Sequence, residues 1–335
     1  MVLAWHMQRR DFFKVIAGSA VAWPLDARAQ SQERIRLIGV LAGTAENDPQ
    51  ARRRISAFTQ ALQDLGWNEG KNIKLEKRYS AGAPARLPAL ATELVQANCS
   101  IIVAEAAQAV DAARAATQKI PIVMVYVGDA LGPGYVASLA HPGGNITGQT
   151  LVATDQAAKR LELMKRLSPD IKRIAVLSNL KASGHIHQRK EMDAAAPKLG
   201  IALQQLTIQS ATEIDANLRA AVENGAQAII TMEDPMVESA RTPITEFALK
   251  NRLPVMGEFK PMAEAGGLMS YGPNQVAMWG RTAFYVDKIL KGADPANHPV
   301  EQPAKFEFTI NLKTAKALGV EFPQTLLSLA DVVIE

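Results

Sequence analysis

Carboxylates stand at the ends of short apolar runs in this sequence. Glu105 closes the run 101–104, Asp129 lies two residues past Ile122–Val127, Glu233 two past Ala228–Thr231, and Glu258 two past 254–256. Thr44, Ala106, Tyr126, Asn179, Met232 and Tyr271 occupy matching places at or after such runs. These residue types suit recognition. Glu105 and Asp129 would read charge from one side of a cleft, and Asn179, Glu233 and Glu258 would answer from the other. Tyr126 and Tyr271 would be aromatic walls. Small residues such as Gly43 and Ala106 beside helix starts let backbone N–H groups approach an anion. The set fits an amino acid or a related small polar or aromatic ligand. A structural reading stands beside it: a carboxylate after a strand often caps the next helix, as Asp234 before Pro235 should. Tyr126 reads equally as a core residue with its hydroxyl satisfied.

Bond-making chemistry has no comparable signature. There is no G-x-S-x-G elbow, H-E-x-x-H, Walker loop or G-x-G-x-x-G after the first strand. The single Cys99 excludes an intrachain disulfide and a cysteine-based metal cluster, and its place before an apolar run suits a buried, inert thiol. His185 and His187 are two apart, on different sides of a helix, so the sequence calls for no metal and no cofactor. Lys+Arg 37 against Asp+Glu 33 gives a net charge of only +4, with no basic stripe of the kind nucleic acid requires. Arg52-Arg53-Arg54 opens an amphipathic helix and reads as a solvated face.

The elements that must position these residues alternate. Strands are expected at 35–41, 73–79, 101–104 and 122–127, with helices at 51–65, 87–97 and 107–118. In the first helix Ile55, Phe58, Leu62 and Leu65 share a face. The scheme repeats with helices at 156–167, 185–199, 213–224 and 236–250, and strands at 173–177, 202–208, 228–231, 254–256 and 268–270. A helix over 274–290, with Val276, Trp279, Ala283 and Val286 on one face, and a strand over 306–311 follow. Buried strands alternating with helices imply parallel sheets covered on both faces, hence an α/β protein with two doubly wound lobes. Turn formers in 142–148, the segment 271–273 and the proline-rich 292–303 give three crossings between them. One lobe comprises 30–148 plus about 273–296, the other 149–272 plus about 297–335. In open parallel sheets ligands bind outside the carboxyl ends of the strands, where all the residues named first lie.

Residues 1–29 read as an address. Arg9-Arg10-Asp11-Phe12-Phe13-Lys14, an apolar stretch and Ala27-Arg28-Ala29 form a signal peptide of twin-arginine type. Its apolar run is about half the ~20 residues a bilayer span needs. The expectation is an exported, periplasmic protein starting near Gln30.

Longer motifs carry a family resemblance. They are Leu65-Gly66-Trp67-Asn68-Glu69-Gly70-Lys71-Asn72-Ile73, Pro142-Gly143-Gly144-Asn145-Ile146-Thr147-Gly148, Gly266-Gly267-Leu268-Met269-Ser270-Tyr271-Gly272-Pro273 and Ile310-Asn311-Leu312-Lys313-Thr314-Ala315-Lys316-Ala317-Leu318-Gly319. Across nearly the whole mature chain the sequence resembles substrate-binding proteins of ABC importers, of the tryptophan-binding TrpX type. The resemblance implies a type I periplasmic-binding-protein fold with a three-segment hinge. It also implies ligand capture by lobe closure and delivery to an ABC permease in the inner membrane. Relatives often carry Asp-Pro where this chain has Asp129-Ala130, and Thr or Ser near Glu105-Ala106-Ala107, so ligand identity does not carry over. The expected partners are a small-molecule ligand and the permease, with no nucleic acid, for a monomeric receptor without enzymatic activity. The alternatives are a periplasmic sensor feeding a membrane signalling protein, and an exported enzyme using the acidic cleft.

Overall fold

The computed structural model describes residues 35–151, 156–179 and 182–335. The expected leader, 1–29, lies outside them. Two sheets organise the chain. The first runs β2-β1-β3-β4-β5, from β1 (Arg36–Ala42), β2 (Ile73–Tyr79), β3 (Ile101–Glu105), β4 (Ile122–Val127) and β5 (Ile146–Thr150). All its pairings are parallel. Alternate residues of its strands face opposite layers. Ile38 and Val40 pack with Phe58, Leu62, Trp279 and Val286, while Leu41 packs with Leu94, Ala104 and Val110. The layers are α1 (Pro49–Asp64) with the late helix Gln275–Leu290 on one face, and α2 (Leu87–Gln96) with α3 (Ala106–Ala116) on the other.

The second sheet has seven strands, ordered β12-β11-β10-β9-β8-β6-β7. They are β6 (Arg173–Asn179), β7 (Ala202–Ile208), β8 (Ala228–Thr231), β9 (Val255–Gly257), β10 (Met269–Pro273), β11 (Phe306–Asn311) and β12 (Val332–Ile334). The β10–β11 pair is antiparallel, an exception to the expected parallel scheme. Helices α4 (Gln156–Leu167), α5 (Ser183–Ala195), α6 (Ile214–Glu223), α7 (Pro235–Ser239), α8 (Arg241–Lys250) and α9 (Lys260–Glu264) belong to this lobe. Helix α10 (Gln275–Leu290) returns to the first lobe, and α11 (Leu312–Leu318) and α12 (Gln324–Leu327) complete the second.

Several expectations need correction. The segment 142–148 is not only a turn: β5 starts within it and pairs with β4, so the first crossing follows Thr150. The helix expected at 236–250 is broken at Ala240. Pro243 has no N–H to bond a carbonyl one turn back, so it must sit in a first turn. In α1 the buried face is Ala51, Arg54, Phe58 and Leu62, so Arg54 is interior and Leu65 exposed. Val276 lies exposed at the start of α10. No helix among the described residues is long and apolar enough to cross a membrane.

Candidate functional site

The carboxyl ends of β1, β3 and β4 face those of β6, β8 and β9. On the first lobe the organising group is Glu105, 2 % exposed. It accepts from the Gly43 backbone at 2.8 Å, from Thr44 Oγ1 at 3.4 Å and from the Tyr126 hydroxyl, and lies 3.3 Å from the Arg54 guanidinium. Thr44 accepts from Arg54 in turn, and Tyr126 accepts from Trp279 Nε1 at 3.2 Å. Both oxygens of Glu105 are therefore engaged inside the lobe. The backbone beside it is strained. Ala106 and Tyr126, at the ends of neighbouring strands, have φ of 63° and 38°. Left-handed geometry costs a residue with a Cβ about 1–3 kcal/mol, and such strain gathers at functional sites.

On the second lobe His185 is held at both nitrogens. The Asn179 N–H donates to Nδ1 at 3.0 Å and the Glu233 carbonyl lies 2.6 Å from Nε2, so the ring proton belongs on Nε2. Asp234 caps α7 through the Met236 N–H and also accepts from the Asn179 amide at 2.8 Å. Glu258 is buried, accepting from Gln188 and from the Glu233 N–H at 3.1 Å, and lies 3.7 Å from Arg160. Glu233 is different. Its Oε1 is buried without a hydrogen-bond partner among the described residues. Burial, and then the nearby Glu238, Asp234 and Glu258, push its carboxyl well above the usual range.

Glu233 stands between two small cavities. One lies between the lobes: Ala106, Gln108 and Tyr126 line it from the first, His185, Gln188 and Glu233 from the second. The other has apolar walls of Met232, Val237, Phe259 and Met262, with Glu233 and Gln275 among its polar lining.

The lobes are closed on one another. Arg54 of the first lobe bonds Glu238 of the second at 2.6 Å, both buried. Burial opposes the charge on Arg54, but Glu238, Tyr126 and Glu105 outweigh it and hold its proton more tightly than usual. Gln108 donates to Asp234 at 2.6 Å, Arg241 pairs with Asp48 at 2.6 Å, and the Tyr126 and Phe259 rings meet edge-on at 5.9 Å.

Of the residues expected from sequence, Thr44, Glu105, Ala106, Tyr126, Asn179, Met232, Glu233 and Glu258 come together at these facing ends. Two do not. Asp129 is occupied by its own turn, accepting from Leu131 and Gly132 N–H groups at 2.9 Å. The Tyr271 ring stacks on Phe306 and meets Phe308 edge-on, within the second lobe's core. Neither lines the two cavities. Sequence reasoning missed Arg54, Gln108, Gln188, Phe259 and Gln275, and took His185 only as a weak metal ligand. Arg54 alone carried a signal: it falls in phase with Phe58 and Leu62 on the apolar face.

Residues 45–334 match the family described as ABC transporter substrate binding protein. A curated relative, a tyrosine-binding protein of Clostridioides difficile (strain R20291), is 26% identical over 265 residues, covering 79% of this chain and 76% of its own. Among solved structures, a conserved domain protein from Vibrio cholerae matches with TM-score 0.84 at 26% identity, covering 90% of this chain and 100% of its own. An ABC domain from Streptococcus pneumonia in complex with L-Trp matches with TM-score 0.83 at 26% identity and the same coverage. A substrate binding protein with adhesive properties from Clostridium difficile, ligand-free and open, matches with TM-score 0.63 at 25% identity, covering 90% of this chain and 99% of its own.

Proposed function

This chain belongs to the ABC transporter substrate binding protein family, and we propose that it captures an aromatic α-amino acid between its lobes and delivers it to an ABC importer. The observation that carries the ligand class is Glu233 Oε1, a buried carboxyl oxygen with no partner in the interlobe cleft. A lone buried carboxyl is costly unless a cation arrives, and a ligand ammonium supplies one. The start of α3, at Ala106 to Gln108, turns helix N–H groups toward the same cleft and suits the α-carboxylate. The apolar cavity on the other side of Glu233 suits the side chain. Relatives that bind tyrosine and hold L-Trp support an aromatic one.

Closure is the working step. The chain fits the L-Trp complex at TM-score 0.83 and the open, ligand-free relative at 0.63, with nearly equal identity and coverage. We read that gap as a difference of lobe arrangement more than of lobe fold. A ligand touching both lobes favours the arrangement seen here by its differential affinity for it. No covalent step is involved, which accords with a family of binding proteins. The twin-arginine reading of residues 1–29 supports work in the periplasm.

The test is calorimetry with the mature protein against L-Tyr, L-Trp, L-Phe and the corresponding aromatic acids lacking the amine. The expected result is saturable heat with amino acids and none with the amine-free acids. Silence across the amino acids, in protein shown by mass spectrometry to be ligand-free, would overturn the reading.

A further inference from the structure

We propose that Gln275 selects among aromatic amino acids, favouring a side chain that ends in a hydrogen-bond acceptor, a phenol in preference to a bare phenyl ring or an indole. This rests on the receptor reading above and names the specificity determinant of that same site.

Gln275 is 5 % exposed, at the start of α10 immediately after the second crossing. Its amide orientation is set by Arg54, whose Nη1 donates to Gln275 Oε1 at 3.3 Å. A guanidinium has only donors, so the oxygen must face it and the amide nitrogen must face elsewhere. That nitrogen, Nε2, is buried without a partner. Among the described residues, Nε2 and Glu233 Oε1 are the unpartnered buried side-chain atoms of the residues lining the apolar cavity. One lacks an acceptor and the other lacks a donor. Met232, Val237, Phe259 and Met262 of the lining present only carbon and sulfur, while Asp234, Glu238, Arg241 and Glu258 of the same lining bond within the protein.

A zwitterionic amino acid whose ammonium meets Glu233 directs its side chain along these walls toward Gln275. A phenolic oxygen there accepts from Nε2. A phenyl ring leaves Nε2 buried and unpaired. An indole N–H, a donor only, does the same. Arg54 prevents the amide from turning its oxygen to meet it, because that would set an amide N–H against the guanidinium. A site built to bond a hydroxyl rejects the analogue lacking it more strongly than an apolar pocket rejects a missing methylene.

The experiment is competitive calorimetry of L-Tyr, L-Phe and L-Trp on the parent protein and on Gln275→Leu and Gln275→Met. In the parent, L-Tyr should bind at least about tenfold more tightly than L-Phe and L-Trp. In both variants the Tyr-to-Phe ratio should fall toward one. The parent measurement stands even if a variant fails to fold. Equal affinity of the parent for L-Tyr and L-Phe, or an unchanged ratio in the folded variants, overturns the role of Gln275 while leaving the receptor reading intact. Failure of all three ligands to bind overturns both.

Discussion

Gly128 of the first lobe and Gly184 of the second meet backbone to backbone: a Cβ built on Gly128 would stand 2.7 Å from Gly184 Cα, and one on Gly184 2.4 Å from Gly128 Cα. Neither glycine has a positive φ, so alanine is conformationally permitted at both. What alanine obstructs is approach. Gly184→Ala should therefore leave each lobe folded and hold the cleft ajar, weakening ligand binding about tenfold or more, because affinity falls with the closed fraction. Small-angle scattering with and without ligand checks this. A variant that contracts on ligand addition as the parent does would remove the pair from closure.

Arg54 joins both lobes from within, so its loss should be felt in stability. Arg54→Met strands Glu105 and Glu238 as buried carboxylates without their cation. Breaking a buried pair by removing one partner costs about 3–5 kcal/mol. Urea unfolding of the ligand-free protein measures it. The milder Glu238→Gln keeps an acceptor for Arg54 and should mainly speed ligand release, seen in stopped-flow dissociation.

Glu233 gives the closed, empty protein a pH dependence of definite sign. Its carboxyl is held well above the ordinary 4.5, so the folded state keeps a proton there that the unfolded chain gives up. Its contribution to stability is present at low pH and is lost as pH rises between those two values. Glu301, held low by Arg281, acts oppositely and loses its contribution as pH falls. Comparing parent with Glu233→Gln isolates the one carboxyl. The variant should lose the alkaline decline in Tm and should bind an amino acid more weakly. Superimposable Tm profiles would show that Glu233 is solvated.

Cys99 offers a simple check on the first lobe's packing. It is buried at 4 % exposure, and burial pushes its thiol up to about 11. Thiolate is the reactive form. Iodoacetamide near neutral pH should leave it unmodified in the folded protein and alkylate it in denaturant, read by mass spectrometry.

Periodicity made much of this architecture legible. Strands Ile73–Tyr79 and Ile122–Val127 and the helix Gln156–Leu167 have the bounds that pattern alone assigns. The carboxylates at the strand ends were legible as a group, since strand direction places them together. Their individual duties were not. Glu105 is satisfied by Arg54, and Glu258 lies beside Gln188 and Arg160, partners brought near only by the fold. Glu233 is left over because no cation among the described residues pairs with it, and no local pattern reports an absence. Tyr271 stood at the right kind of position, yet its antiparallel pairing with Phe308 put its ring among core residues. Gln275 carried no signal, because its amide orientation is set by Arg54, a partner that only the fold brings near.

The return of α10 to the first lobe has a consequence for synthesis. Trp279 fills that lobe's core against Phe58, and Thr147 bonds the His298 carbonyl, so its final pieces arrive after most of the second lobe has been made. A growing chain cannot finish its lobes one after the other. Until α10 emerges from the ribosome, the apolar face of α1 has no lid.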